Sequence, residues 1–230
     1  GRLDGSARVL VIGQDPAQHE EVARRILIGE AGHRTQGLVA KLGINRSYAM
    51  VNTFLYSVYG QGGGNQHKDD AGIVAYRNRW LDALLVGSKV EAVIALGGLA
   101  DDAWQKWKAT PNGHGVAVAY AHVTHPTEPE SSSGGDATKL KAAITAMLQN
   151  WNTALQALHP KVQHPDVPAP LVPYGAAFAA GEKPPIPAGD LPAGSPPWML
   201  DQDGWAKRVG TTPQQKRYSI TLTVPTPFQV

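Results

Sequence analysis

At 230 residues with 42% hydrophobic side chains, the chain can bury one core of ordinary size and still carry an appendage. It has no cysteine, which excludes disulfides, thiolate zinc sites, iron–sulfur clusters and a cysteine nucleophile together. A formal charge of +2 permits a nucleic-acid partner without demanding one. No apolar run reaches the roughly 18 to 20 residues that span a bilayer, and no secretory-signal pattern is present, so a cytoplasmic protein is expected.

In chain order, the pattern up to about residue 158 alternates short β-rich runs with helical ones. That is the signature of a parallel sheet covered by crossover helices. Strands are predicted at Arg8 to Ile12, Tyr48 to Asn52, Glu91 to Leu96 and Val116 to His122, each short and apolar as buried parallel strands are. Helices are predicted near 20–26, 34–43, 71–86 and 99–108, and a long one from about Asp136. On the last, Leu140, Ile144, Leu148, Trp151, Leu155 and Leu158 recur at three- and four-residue spacing, a stripe that packs on a core. The fold class expected is α/β, a three-layer α/β/α sandwich around a short, mainly parallel four-stranded sheet, in a domain spanning 1–158.

From residue 159 the character changes, because fourteen of the eighteen prolines lie there. Tyr174, Phe178, Trp198, Trp205 and Tyr218 give this stretch apolar anchors, so 159–230 is read as an extension wrapped on the domain. Near its end, Tyr218, Ile220, Leu222 and Val224 alternate, which predicts a strand added at a sheet edge.

In open α/β sheets, ligands bind where loops leave the carboxyl ends of the strands. The first strand runs into Gly13-Gln14-Asp15-Pro16-Ala17, the second ends in Asn52-Thr53, and the fourth leads into Thr124-His125-Pro126. These loops bring a carboxylate, an amide and an imidazole to one crevice. The set suits hydrolysis of an N-glycosidic bond, in which a carboxylate stabilises an oxocarbenium-like sugar and directs water while donors hold the departing base. Taken singly, each residue has a plainer reading: Asp15-Pro16 as a turn, Asn52 as a loop cap, His125 as a structural histidine. Gly13 and Gly97-Gly98 read as turn glycines or helix entries. His19, His33, His67, His114 and His122 form no metal-ligand spacing.

GQDPAQHE after a first strand is similar to the GQDPYH motif of family 1 uracil-DNA glycosylases, and THPTEPES is similar to their HPSPLS motif. The intervening RILIGEAGHRTQGLVAKLGI resembles the F-V-G-x-A-G segment of the family 4 branch, followed in both by a strand ending in Asn. The resemblance covers roughly residues 8 to 155. It implies a uracil-DNA glycosylase-like fold and a monofunctional enzyme that flips uracil out of single- or double-stranded DNA and hydrolyses the base–deoxyribose bond. No cofactor, metal or membrane is implied, and a monomer working on nucleoid DNA in a bacterial-type cytoplasm is expected.

Carried over position by position, Asp15 becomes the water-orienting base and His125, held neutral, the donor to the carbonyl that gains charge. Gln14 lines the base pocket, and Asn52 reads uracil's carbonyl and ring N–H, a pattern that cytosine reverses. Arg34, Thr35, Ser131, Ser132 and Ser133 become candidate phosphate contacts. The departures are informative. Ala17 replaces the Tyr thought to exclude thymine's methyl group, which predicts a more open pocket, and Leu27 stands where both branches place a stacking Phe. The family 4 cysteines are absent, and EPESSSGGD has no counterpart of the leucine that family 1 pushes into the DNA stack. The rival readings are a glycosylase of broader lesion choice and a DNA- or nucleotide-binding module that kept the fold and lost turnover. Covalent capture of the abasic sugar would fall to His67, but the basic loop expected around it is missing.

Overall fold

Side-chain parity along the strands sets the layers of the computed structural model, which describes residues 1–201 and 204–226. Four strands, β1 (Val9–Gly13), β2 (Tyr48–Asn52), β3 (Ala92–Leu96) and β4 (Ala119–Val123), form one all-parallel sheet in the order β2-β1-β3-β4. Successive strand side chains point to opposite faces. Val9, Val11, Tyr48, Met50, Ala92, Ile94 and Leu96 therefore share one buried cluster. Leu10, Ile12, Ala49, Val51, Val93 and Ala95 share the other.

Helices cover both faces. The crossovers are α1 (Gln18–Ala23) and α2 (Glu30–Ala40), then α3 (Gly64–His67) and α4 (Ala71–Leu85), then α5 (Gly98–Lys108) and α6 (Pro111–Gly115). After the fourth strand come α7 (Glu128–Ser133) and α8 (Ala137–Leu158). Leu38 and Val39 of α2 and the Met147–Leu158 stripe of α8 fill the first cluster, whereas Leu81, Leu85, Trp104 and Trp107 of α4 and α5 fill the second. The result is a three-layer α/β/α sandwich. Helix starts follow capping chemistry: Asp70 accepts from the Gly72 and Ile73 amides before α4, and Asp136 accepts from the Thr138 and Lys139 amides before α8.

β2 has the predicted bounds, while β4 starts three residues later than Val116. There Val116 ends α6, with its carbonyl accepting from Lys108 Nζ, and the ladder begins only where the Ala119 amide donates to Glu91. The short helices α3, α6 and α7 lie outside the predicted ones. Their sequences GNQH, PNGHG and EPESSS are too short and too rich in glycine, proline or serine to show a helical period.

The extension adds α9 (Trp198–Asp201), β5 (Ala206–Arg208), α10 (Pro213–Tyr218) and β6 (Ile220–Leu222). The expected edge strand is corrected here: β6 pairs antiparallel with β5 in a separate two-stranded sheet and does not join the main one. Tyr218 is likewise no anchor. It ends α10, whose Thr212 cap and Pro213 start were not read, and it is exposed. Tyr174, Trp198 and Trp205 are buried as expected, the two tryptophans in a third cluster with Ala23, Ile28 and Ile186. Close backbone approach also ties the extension down. A Cβ at Gly37 of α2 would lie 2.0 Å from the Glu182 carbonyl oxygen, a distance only glycine permits. Residues 227–230 and 202–203, within the predicted extension, lie outside the described residues.

Candidate active site

The ladder puts the strand ends level. Gly13 pairs with Asn52, and Leu96 with Val123, so the residues following them emerge along one edge of the sheet. With strands about 4.8 Å apart, the loop after β4 lies roughly 10 Å from that after β1.

Gln14 and Asp15 are half-buried just beyond β1. The chain after β2 runs beside them, with Thr53 N–H and Oγ1 donating to Gly13 O at 3.0 and 2.9 Å and Phe54 N–H donating to Gln14 O at 2.9 Å. That course carries Ser57 and Val58 to the Asp15 carboxylate, which accepts from the Val58 amide at 3.1 Å and lies 3.5 Å from Ser57 Oγ. Burial raises the Asp15 pKa above the ordinary value, opposed by the hydrogen bonds from Val58, Gln14 and Ser57 and by the charge of Arg208.

Asn52 stands at the same sheet edge, opposite Gly13. A Cβ on Gly13 would sit 2.5 Å from Asn52 Oδ1, so glycine at 13 is what lets the Asn52 side chain approach the β1 end, and it would meet Leu27 Cδ2 at 3.8 Å, an ordinary packing distance. Leu27 is buried and holds a left-handed backbone with φ of 55°, rare for a branched residue. Arg25 stabilises that turn by donating to the Ile26 and Leu27 carbonyls, and its other nitrogen pairs with Asp190 of the extension at 2.9 Å.

His125 is set by α8 and by its own loop. Asn150 Oδ1 accepts from the Thr124 amide at 2.8 Å and Trp151 Nε1 donates to the Thr124 carbonyl at 2.9 Å. The Thr127 amide donates to His125 Nδ1 at 3.3 Å. A backbone N–H can only donate, so Nδ1 is unprotonated and the neutral ring carries its hydrogen on Nε2. Burial pushes the His125 pKa down to about 4, which keeps it neutral at physiological pH.

Three of the five candidate phosphate contacts are placed inside the protein. Arg34 is buried, its guanidinium donating to Glu30, to both Glu130 oxygens and to the Pro126 carbonyl; it fastens α2 to the His125 loop. Thr35 is fully buried and donates to the Ala31 carbonyl. Ser133 is buried as well, with its hydroxyl on the Glu130 carbonyl, which leaves Ser131 and Ser132 exposed on α7. The reason is local: α7 turns Glu130 back onto Arg34, so an arginine that reads as a DNA contact is satisfied by a carboxylate. Ala17 is exposed at the start of α1. Gly97 and Gly98 open α5, and His67 Nε2 lies 2.9 Å from the Gln61 carbonyl.

Sequence reading missed three contributors. Glu20 is buried and accepts from the Ala17 amide at 3.1 Å and the Ile28 amide at 3.2 Å, tying the Asp15 loop to the Leu27 loop. Burial pushes its pKa up to about 7, with the Asp15 charge adding to the rise. The Ser57-Val58 pair and Arg208 are the others. Only Glu20 left a trace, as an acid in a first helical turn. Among the described residues no group of three or more His, Asp and Glu side chains is placed to hold a metal, and no helix is long and apolar enough to cross a membrane.

No curated protein matches the chain. Residues 1–149 match the family model described as the uracil DNA glycosylase superfamily, which takes in all four parallel strands and every loop just described. The chain belongs to the uracil DNA glycosylase superfamily, whose members are in general glycosylase hydrolases of DNA base excision repair.

Proposed function

We propose that the chain is a monofunctional uracil-DNA glycosylase, active on uracil extruded from DNA and needing neither metal nor cofactor. One observation carries the reading: a half-buried carboxylate, an amide and a neutral imidazole with its hydrogen on Nε2 stand along one sheet edge inside a domain of this superfamily.

In this mechanism the extruded base packs on Leu27, with Gln14 along the pocket, and Asn52 pairs with its ring N–H and carbonyl. The glycosidic C–N bond breaks with its electron pair leaving on uracil, and His125 Nε2–H donates to the carbonyl that gains the charge. The deoxyribose becomes oxocarbenium-like. Asp15 stabilises that positive charge and orients a water whose oxygen bonds to C1′ as its proton passes to the Asp15 carboxylate, giving the uracil anion and an abasic site; exchange with solvent then returns Asp15 to its ionised form and protonates the base. No lysine has been assigned to a Schiff base, so strand cleavage is not part of the reaction. We assign the enzyme to DNA of a bacterial-type cytoplasm, acting as a monomer.

The exposed Ala17 favours one second reading, a glycosylase that also accepts small 5-substituted uracils. Oligonucleotides each carrying a single lesion, incubated with the protein and cleaved with alkali at abasic sites, test both. Cleavage at uracil is expected. Cleavage only at another lesion would replace the reading, and binding without cleavage at any lesion would indicate a module without turnover.

A further inference from the structure

The loop from Thr53 to Gly63 contains no charged residue and turns Leu55, Tyr56 and Tyr59 outward, Tyr56 being 76% exposed. The extension supplies the complementary chemistry. From Gly204 to Thr226 it has Lys207, Arg208, Lys216 and Arg217 and no acidic residue. Tyr218, also 76% exposed, lies beneath the Arg217 guanidinium, 5.2 Å from carbon to ring centroid.

The two pieces adjoin. A Cβ at Gly60 would be 2.7 Å from the Pro213 carbonyl oxygen and 3.4 Å from Arg217 Cβ, so α10 rests on the loop. Arg208 joins them: its guanidinium lies 4.8 Å from the Tyr59 ring centroid, and Nη1 donates to the Lys216 and Arg217 carbonyls at 3.2 Å. Nη2 donates to Glu21 at 2.8 Å and to Ser57 Oγ at 3.3 Å, the hydroxyl beside the Asp15 carboxylate. Glu21 is thereby paired with Arg208, and an uncharged aromatic surface bordered by cations begins next to the Asp15 carboxylate.

Exposed aromatic faces with cations between them fit nucleotides whose bases are unstacked, since every base has a π-face and every phosphate a negative charge. An intact duplex hides those faces and offers this surface its phosphates alone. We propose that Leu55, Tyr56, Tyr59, Arg217 and Tyr218 form a stacking platform for unpaired nucleotides flanking the extruded base, so that the chain prefers single-stranded or locally opened DNA. This rests on the crevice at Asp15 being the site where DNA is processed.

The test is fluorescence anisotropy with a labelled single strand, with or without one uracil, and with the same strand annealed to its complement. The probes meet the full chain and its Tyr56→Ala, Tyr218→Ala and doubly substituted forms. Each single substitution is expected to weaken single-strand binding about 5- to 100-fold, as loss of one stacked base does, and to change duplex binding less than twofold. Tyr56→Phe and Tyr218→Phe keep the ring and should bind as the wild type, while Tyr76→Ala, an exposed aromatic on α4, should change nothing. Unchanged single-strand affinity in the double substitution, equal losses on both probes, or an equal loss from Tyr76→Ala would overturn the platform. Because the uracil-free strand reports binding alone, absence of uracil excision by the wild type would count against the proposed reaction and leave this result standing.

Discussion

The sheet and the extension both reach the crevice, but by different physics. The sheet positions its residues by register: parity of apolar side chains sorts two buried clusters, and level strand ends deliver Gln14, Asp15, Asn52 and His125 to one edge. The extension has no such period. It is held by aromatic plugs, Trp198 and Trp205 against Ala23 and Ile28, and by two arginine links, Arg25 with Asp190 and Arg208 with Glu21. Each link ends beside a candidate site residue, the first behind Leu27 and the second at Ser57, next to Asp15. The geometry of the candidate site is therefore specified partly by contacts across 165 and 151 positions of the chain, Arg25 with Asp190 and Arg208 with Ser57.

The largest expected effect breaks the extension side. Trp205 is buried, its ring edge-on to His19 at 4.9 Å and to Trp198 at 5.3 Å. Trp205→Ala should cost about 3–5 kcal/mol in denaturant unfolding, as loss of a fully packed tryptophan does. Excision should slow with it. A loss below about 1 kcal/mol would mean that the extension folds apart from the domain.

On the sheet side, Glu20 gives a pH signature. Its folded pKa of about 7 lies above the ordinary 4.5, so the folded state binds this proton more tightly than the unfolded chain. The resulting stability is fully present below about pH 4.5 and is lost as pH rises through about 7. By linkage it is on the order of 3 kcal/mol at most. Glu20→Gln should flatten stability across that window, measured by urea unfolding at several pH values, and should lose part of the hydrogen bonding to Ala17 and Ile28. An unchanged slope would show that Glu20 stays ionised throughout.

The smallest effect sharpens the pocket mouth. Ala17→Tyr should narrow the acceptance of 5-substituted uracils, by about 1–3 kcal/mol of discrimination for a methyl-sized group. Competition between uracil and a small 5-substituted uracil in one reaction measures it. Equal ratios in both proteins would place position 17 away from the bound base.

The same contrast explains what the sequence made legible. The stripe on α8 was readable because burial is periodic there, β2 because it is a short run buried on both faces, and the loops after the strands because each follows a strand directly. Arg34 misled because its charge suggests phosphate, whereas α7, too short to show a period, folds Glu130 onto it. A strand does form at Ile220–Leu222, but its burial does not alternate, and nothing local named β5 as its partner. Ser57 and Arg208 carry no pattern at all. They matter through contacts across 42 and 151 positions, which only the folded chain brings together.

The account turns on Asp15 acting as the carboxylate that carries charge and orients water, and one measurement addresses that directly. Single-turnover release of uracil from a labelled oligonucleotide should be followed for the wild type and Asp15→Asn side by side, with binding measured in parallel. The account predicts uracil release by the wild type, a rate lower by about 10²-fold or more in Asp15→Asn, and unimpaired binding. Release by Asp15→Asn within a few-fold of the wild type would contradict it and assign the chemistry to another group.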